Sequence, residues 1–112
     1  MAQVEIVRSL LDEIKRKFKG ESHEILDLLE TLEENPKKGK PLGRVGGIVI
    51  KELKYKSFRF YFIADGNKIK AFSQEELVDL LIKFVRISDK KNQQKVIDDI
   101  KHILQTLGAE GF

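Results

Sequence analysis

Apolar and polar residues alternate along Ile48 to Phe72, IVIKELKYKSFRFYFIADGNKIKAF, far enough to make two consecutive β-hairpins. Period-two alternation marks strands with one face buried. Asp65-Gly66 is a favoured two-residue turn, so the second hairpin is predicted to pair Phe62 with Ile69 and Phe60 with Ala71. That register leaves Arg59, Tyr61, Lys68, Lys70 and Phe72 on the other face. The first hairpin turns at Lys56-Ser57. With a two-residue loop Tyr55 faces Phe58, Leu53 faces Phe60, and Lys54 lies directly opposite Arg59.

Helical spacing governs the ends of the chain. Gln3 to Arg8 reads as a short strand, Ser9 can cap the helix after it, and Leu10, Leu11, Ile14 and Phe18 recur on one face. Lys15, Arg16, Lys17 and Lys19 suit the negative end of that helix, and Gly20 ends it. A second helix is predicted from about Ser22 to Glu34, with Ile25, Leu28, Leu29 and Leu32 as its stripe and Asn35-Pro36 as its stop. Asn35 to Gly47, rich in Gly, Pro and Lys, reads as a loop. Ser73 to Glu76 is a capping-box pattern that opens a helix, which Leu77, Leu80, Leu81 and Phe84 can continue. LIKFVRIS, Leu81 to Ser88, is β-branched enough for a strand. The reading adopted is a short helical excursion followed by that strand. A last helix carries Val96, Ile100, Ile103, Leu104 and Leu107 and stops at Gly108.

At 112 residues and 41% hydrophobic, the chain is predicted to be a single domain, 1–112, with a true core. No cysteine is present, and His23 and His102 stand alone, so neither a disulfide framework nor a metal centre is expected. Nothing resembles a leader or a membrane span, so a cytoplasmic location with no membrane partner is expected. The net charge of +3 is mild, but its distribution is not even. Between Lys37 and Arg59 eight bases face one acid, Glu52, whereas Glu21 to Glu34 holds six acids and no Lys or Arg. Such segregation points to a basic face that meets a polyanion.

Opposed cations in a sheet cost roughly 0.2–1 kcal/mol per pair. A phosphate between Lys54 and Arg59 would offset that, the guanidinium offering a fork and the ammonium a point charge. A solvated strand face decorated with Lys and Arg, which keeps sheets from sticking together, is the plainer account of the same residues.

Taken together, LEENPKKGKPL, IKELKYKSFRFYFI, DGNKI and FVRISDKKNQQKVIDDIKHIL resemble the RelE/ParE/HigB superfamily of toxins from toxin–antitoxin systems, over nearly the whole chain. The first segments match its NP–x–PL loop and basic hairpin. The last matches a HigB-like ending, in which a strand runs into Lys-Lys and a helix. The resemblance implies an α+β, RelE-like fold in the order β-α-α-β-β-β-(insertion)-β-α, an antiparallel sheet with the helical hairpin packed on one face. It implies a ribosome-dependent mRNA endoribonuclease that needs no cofactor, silenced by an antitoxin protein in a hetero-oligomer.

By position, Arg59 matches the family's hairpin arginine, Lys54 the base before the turn, and Lys90 and Lys91 the basic pair before the last helix. Lys51, Lys56 and Arg86 lie close by in sequence, and Arg44 and Lys70 complete the RNA-binding candidates. Attack by the RNA 2′-OH needs a proton acceptor, charge stabilisation at phosphorus and a donor for the leaving 5′-oxygen. A lysine crowded by other cations is more easily deprotonated and can share that proton transfer. Many members place Tyr or His in or beside the last helix for this work. Here Ile97 stands near that position, His102 lies beyond it, and Tyr61, on the Arg59 face, is the candidate substitute. The departure leaves two further readings open, a ParE-like inhibitor of DNA gyrase that cuts nothing and an inactive RNA- or protein-binding relative.

Overall fold

The structure is a computed structural model that describes residues 2–70 and 79–112. Gln3–Ile6 (β1) leads into Arg8–Phe18 (α1), and a 3-10 turn joins that helix to Ser22–Glu30 (α2). Lys40–Val45 (β2), Ile48–Tyr55 (β3) and Phe58–Asp65 (β4) follow, then Leu81–Ser88 (β5) and Gln93–Leu107 (α3). The five strands form one sheet in the order β1-β5-β4-β3-β2. β1 runs parallel to β5, and every other pairing is antiparallel, so the sheet is mixed where an antiparallel one was expected. The Val7 N–H donates to the Phe84 carbonyl (3.1 Å), continuing the β1–β5 ladder to the edge of α1. That is why α1 starts at Arg8 behind Val7 and Ser9 falls inside the helix.

The first hairpin has the expected register, Tyr55 against Phe58, Leu53 against Phe60 and Lys54 against Arg59. Lys56 takes a positive φ of 53° in its turn, a conformation that costs a residue with a Cβ. Its ammonium is held there by Glu21 (2.7 Å) and lies 5.4 Å from the centre of the Tyr55 ring.

The second expected hairpin does not form. Phe62 pairs with Lys51 on one side and Phe84 on the other, so both edges of β4 are already occupied by β3 and β5. β4 has no free edge for the residues that follow Asp65, and Ala71 and Phe72 lie outside the described residues. Asp65 instead accepts the N–H groups of Asn67 (2.8 Å) and Lys68 (3.0 Å) and starts a 3-10 turn at Lys68–Lys70. Gly66 donates its N–H to the Gly47 carbonyl (2.7 Å), tying this corner to the β2–β3 turn. The capping-box helix expected from Ser73 lies outside the described residues.

The Asn35–Gly47 loop is also shorter than expected, because β2 pairs with β3 as an edge strand. An edge tolerates Pro41, which offers no N–H, and a register shift between Pro41 and Gly43. Gly39, at φ +106°, lets the chain enter β2 against the Phe62 ring. A Cβ there would come within 2.8 Å of the ring and 3.0 Å of the Glu52 carbonyl oxygen.

Both faces of the sheet are covered. Phe18 of α1 meets Phe58 edge-on (ring centroids 4.9 Å apart) and Phe60 at 6.3 Å, which places the α1–α2 hairpin on the face carrying Leu53, Phe58, Phe60, Phe62 and Phe84. Lys83 and Arg86, on the opposite face, reach the chain that follows α3. Lys83 Nζ donates to the Ala109 carbonyl (3.2 Å), and the Arg86 guanidinium lies 5.0 Å from the centre of the Phe112 ring. α3 therefore rests on the second face, against β5 and β2, with Ile100 and Leu104 buried. Gly108 ends it at φ 72°, as the sequence predicts.

Candidate nucleic-acid interface

Lys54, Arg59 and Ser88 stand side by side across β3, β4 and β5. Neighbouring strands lie about 4.8 Å apart, so the three share a patch roughly 10 Å wide. Lys54 is exposed, whereas Arg59 is only 8% exposed. One guanidinium nitrogen of Arg59, Nη1, donates to the Ser57 carbonyl (3.0 Å), but Nε is buried with no partner. Among the described residues no carboxylate is paired with this nine-tenths-buried guanidinium, so its charge is met by the Ser57 carbonyl and not by an anion.

β5 ends at Ser88, and Lys90 and Lys91 follow, both exposed. Asp89 fixes this corner by accepting the N–H groups of Lys91 (3.0 Å) and Asn92 (2.9 Å) and the Asn92 amide (2.9 Å). These bonds hold its carboxyl below the usual range, with Lys17 adding to the effect. Because the folded-state pKa is depressed, this contribution to stability is complete above the ordinary aspartate pKa and fades as pH falls through the lowered one. Lys17, whose ammonium lies 5.0 Å over the Phe58 ring, thus adds a cation to the same end of the sheet. Its place in a helical stripe of bases disguised it in the sequence.

Tyr61 occupies the Arg59 face, as expected, but it is fully buried. Its hydroxyl shares a 2.7 Å hydrogen bond with Ser88 Oγ, and burial pushes its pKa up. The hydroxyl is engaged inside the protein, an arrangement that does not present it at the surface beside Lys54. α3 packs over this face, a placement that periodicity within β4 cannot reveal. Tyr61→Phe is expected to lower stability by about 1–2 kcal/mol, since Ser88 Oγ is left unpaired. Urea denaturation measures this, and Ser88→Ala in the same chain should recover part of the loss.

Glu52, opposite Tyr61, was missed. Its Oε2 is buried without a partner, and its charge helps to raise the Tyr61 pKa. The signal was present, because Glu52 is the lone acid in the Lys37–Arg59 run and the correct hairpin register already sets it beside Arg59's strand.

The remaining candidates divide. Arg86 joins the second face, but its guanidinium donates to the Val85 carbonyl (2.7 Å) and stacks on Phe112. Lys56 is engaged by Glu21, which raises its pKa. Lys51 pairs across from Phe62 and so points to the α1–α2 face, where Arg44 and Lys70 line the same cleft with it. These three cannot share a phosphate with Arg59.

Among the described residues no group of three or more His, Asp or Glu is arranged to hold a metal ion, and no helix is long and apolar enough to cross a membrane.

A five-stranded mixed sheet with a helical hairpin on one face and a C-terminal helix on the other is a RelE-like α+β fold. A solved structure that shares it is a chain in the crystal structure of the archaeal RelE–RelB complex from Pyrococcus horikoshii OT3. The superposition has a TM-score of 0.58 at 13% identity and covers 80% of this chain and 94% of that one. No family model and no curated protein matches the sequence.

Proposed function

We propose that this chain is the toxin of a toxin–antitoxin pair and that it cleaves mRNA on the ribosome, with an antitoxin protein as its partner. The fold it shares with a chain of a RelE–RelB complex supports the class. The observation that carries the reaction is the pairing of a buried, incompletely bonded Arg59 with an exposed Lys54, beside the Lys90–Lys91 corner. In the reaction the RNA 2′-oxygen bonds to phosphorus and loses its proton, the bond from phosphorus to the 5′-oxygen breaks, and that oxygen takes up a proton. Charge grows on the equatorial phosphoryl oxygens. Arg59 and Lys54, aimed there before reaction, would stabilise it without reorganisation.

Burial of Tyr61 favours a second reading, an inhibitor on the same fold that holds its target without cutting, as ParE-like inhibitors of DNA gyrase do. Controlled expression in a bacterial host separates the readings. Growth arrest with mRNA cut at defined sites, seen by primer extension, is expected for the wild type. Lys54→Ala with Arg59→Gln should lower cleavage by roughly 10²-fold or more, the scale of removing one preorganised donor. Arrest that survives the double substitution overturns the site. Arrest with intact mRNA and a DNA-damage response selects the gyrase reading.

A further inference from the structure

The cations that the Arg59 patch leaves out gather elsewhere. On the α1–α2 face, over β2 and β3, a cleft of about 750 Å³ opens between Pro41, Val49 and Ile69, with Arg44, Lys51 and Lys70 around it. In the sheet register Pro41 faces Lys51 and Arg44 faces Val49, so the two strands present alternate apolar and basic residues to one hollow. The 3-10 turn after β4 brings Ile69 and Lys70 to it.

Lys51 is the unusual member. It is 8% exposed, its ammonium donates to the Lys37 carbonyl (2.9 Å), and it stands 5.9 Å over the Phe62 ring. An ammonium has three donors, and among the described residues Lys51 meets a neutral carbonyl and no carboxylate. Among the described residues no carboxylate is paired with Lys51, Arg44 or Lys70, and none lines the cleft. Burial alone lowers the Lys51 pKa, the direction an arriving anion would reverse.

We propose that this cleft binds a small amphipathic acid, a molecule with an apolar body and a single carboxylate. Its size is that of a small-molecule site, and its described lining sets Pro41, Val49 and Ile69 among four bases, Lys37, Arg44, Lys51 and Lys70. The carboxylate would sit on Lys51 and Arg44, and the body on Pro41, Val49 and Ile69. None of the described lining residues is aromatic, and the described lining is aliphatic and basic. The site stands independently of the toxin reading, because it lies on the other face of the sheet and its readout is binding.

Calorimetric titration with decanoate, kept below its micelle concentration, provides the test. Saturable binding at one site is expected, with Lys51→Met and Arg44→Gln each weakening it by roughly tenfold or more. Decanol, with the same chain and no charge, should bind at least about tenfold more weakly. Near-UV circular dichroism checks that Lys51→Met remains folded, and Lys70→Gln, at an exposed position, is a second variant with the same expected direction. Lys54→Ala, on the opposite face, should leave decanoate binding unchanged. Absence of saturable binding, equal affinity for decanol, or full binding by the Lys51 and Arg44 variants overturns the proposal.

Discussion

Phe62→Ala is expected to lower the unfolding free energy by about 3–5 kcal/mol, the cost of removing a large buried ring that its neighbours cannot collapse around. Phe62 is completely buried on the central strand, with Lys51 and Phe84 as its cross-strand partners. Its ring lies 4.9 Å from that of Phe84, and its edge fills the space that Gly39 keeps clear. It therefore supports the core, the entry into β2 and the apolar ground under Lys51 at once. For a domain near this size each kcal/mol is worth roughly 4–8 °C at the midpoint, so thermal unfolding should fall by roughly 12–40 °C. Leu107→Ala is the matched control. That side chain is 67% exposed, and its loss should change stability by no more than about 0.5 kcal/mol. Comparable losses from both would mean that Phe62 does not hold the sheet together.

The parts of the fold that could be read ahead are those set by neighbours in sequence. Alternation around Lys56-Ser57 fixes the β3–β4 register, because a slip of one residue would turn Leu53 and Phe60 out of the core. The apolar stripe and Gly108 fix α3. Residues after Asp65 misled for a non-local reason. An Asp-Gly pair favours a hairpin only where the strand before it has a free edge, and β5, arriving from residues 81–88, takes that edge. β2 escaped notice because an edge strand pairs on one side only and can carry a proline and glycines. The parallel β1–β5 pairing depends on a crossover that no short window contains.

The same boundary runs through the site. The opposition of Lys54 and Arg59 was legible from one hairpin, and it is present. That Arg59 is buried, that Ser88 completes the row and that Tyr61 lies under α3 all depend on β5 and α3 reaching the second face. Lys51 was grouped with the others by closeness in sequence. Period two sends it to the opposite face from Lys54, three residues on, and the cation count along the chain hides this.

Lys54→Glu should strengthen the fold and abolish the activity together. In the wild type two cations face each other across β3 and β4, an arrangement that costs stability. A carboxylate in place of the ammonium turns that repulsion into attraction and gives the Arg59 guanidinium, whose Nε has no partner, an acceptor within the sheet. The expected gain is about 0.5–1.5 kcal/mol, modest because position 54 is exposed, and it appears as a higher urea midpoint at unchanged slope. Lys54→Gln, which removes the repulsion and adds no charge, should gain roughly half as much. The gain should shrink toward zero near 1 M salt, where the screening length falls to about 3 Å. The phosphate loses both its partners, one replaced by a negative charge and the other occupied by it, so growth arrest should disappear. Stability held back at a patch where cations oppose one another is what a binding site for an anion requires. A Lys54→Glu chain that is less stable than the wild type, or equally toxic, would show that the Arg59 guanidinium does not face across the pair.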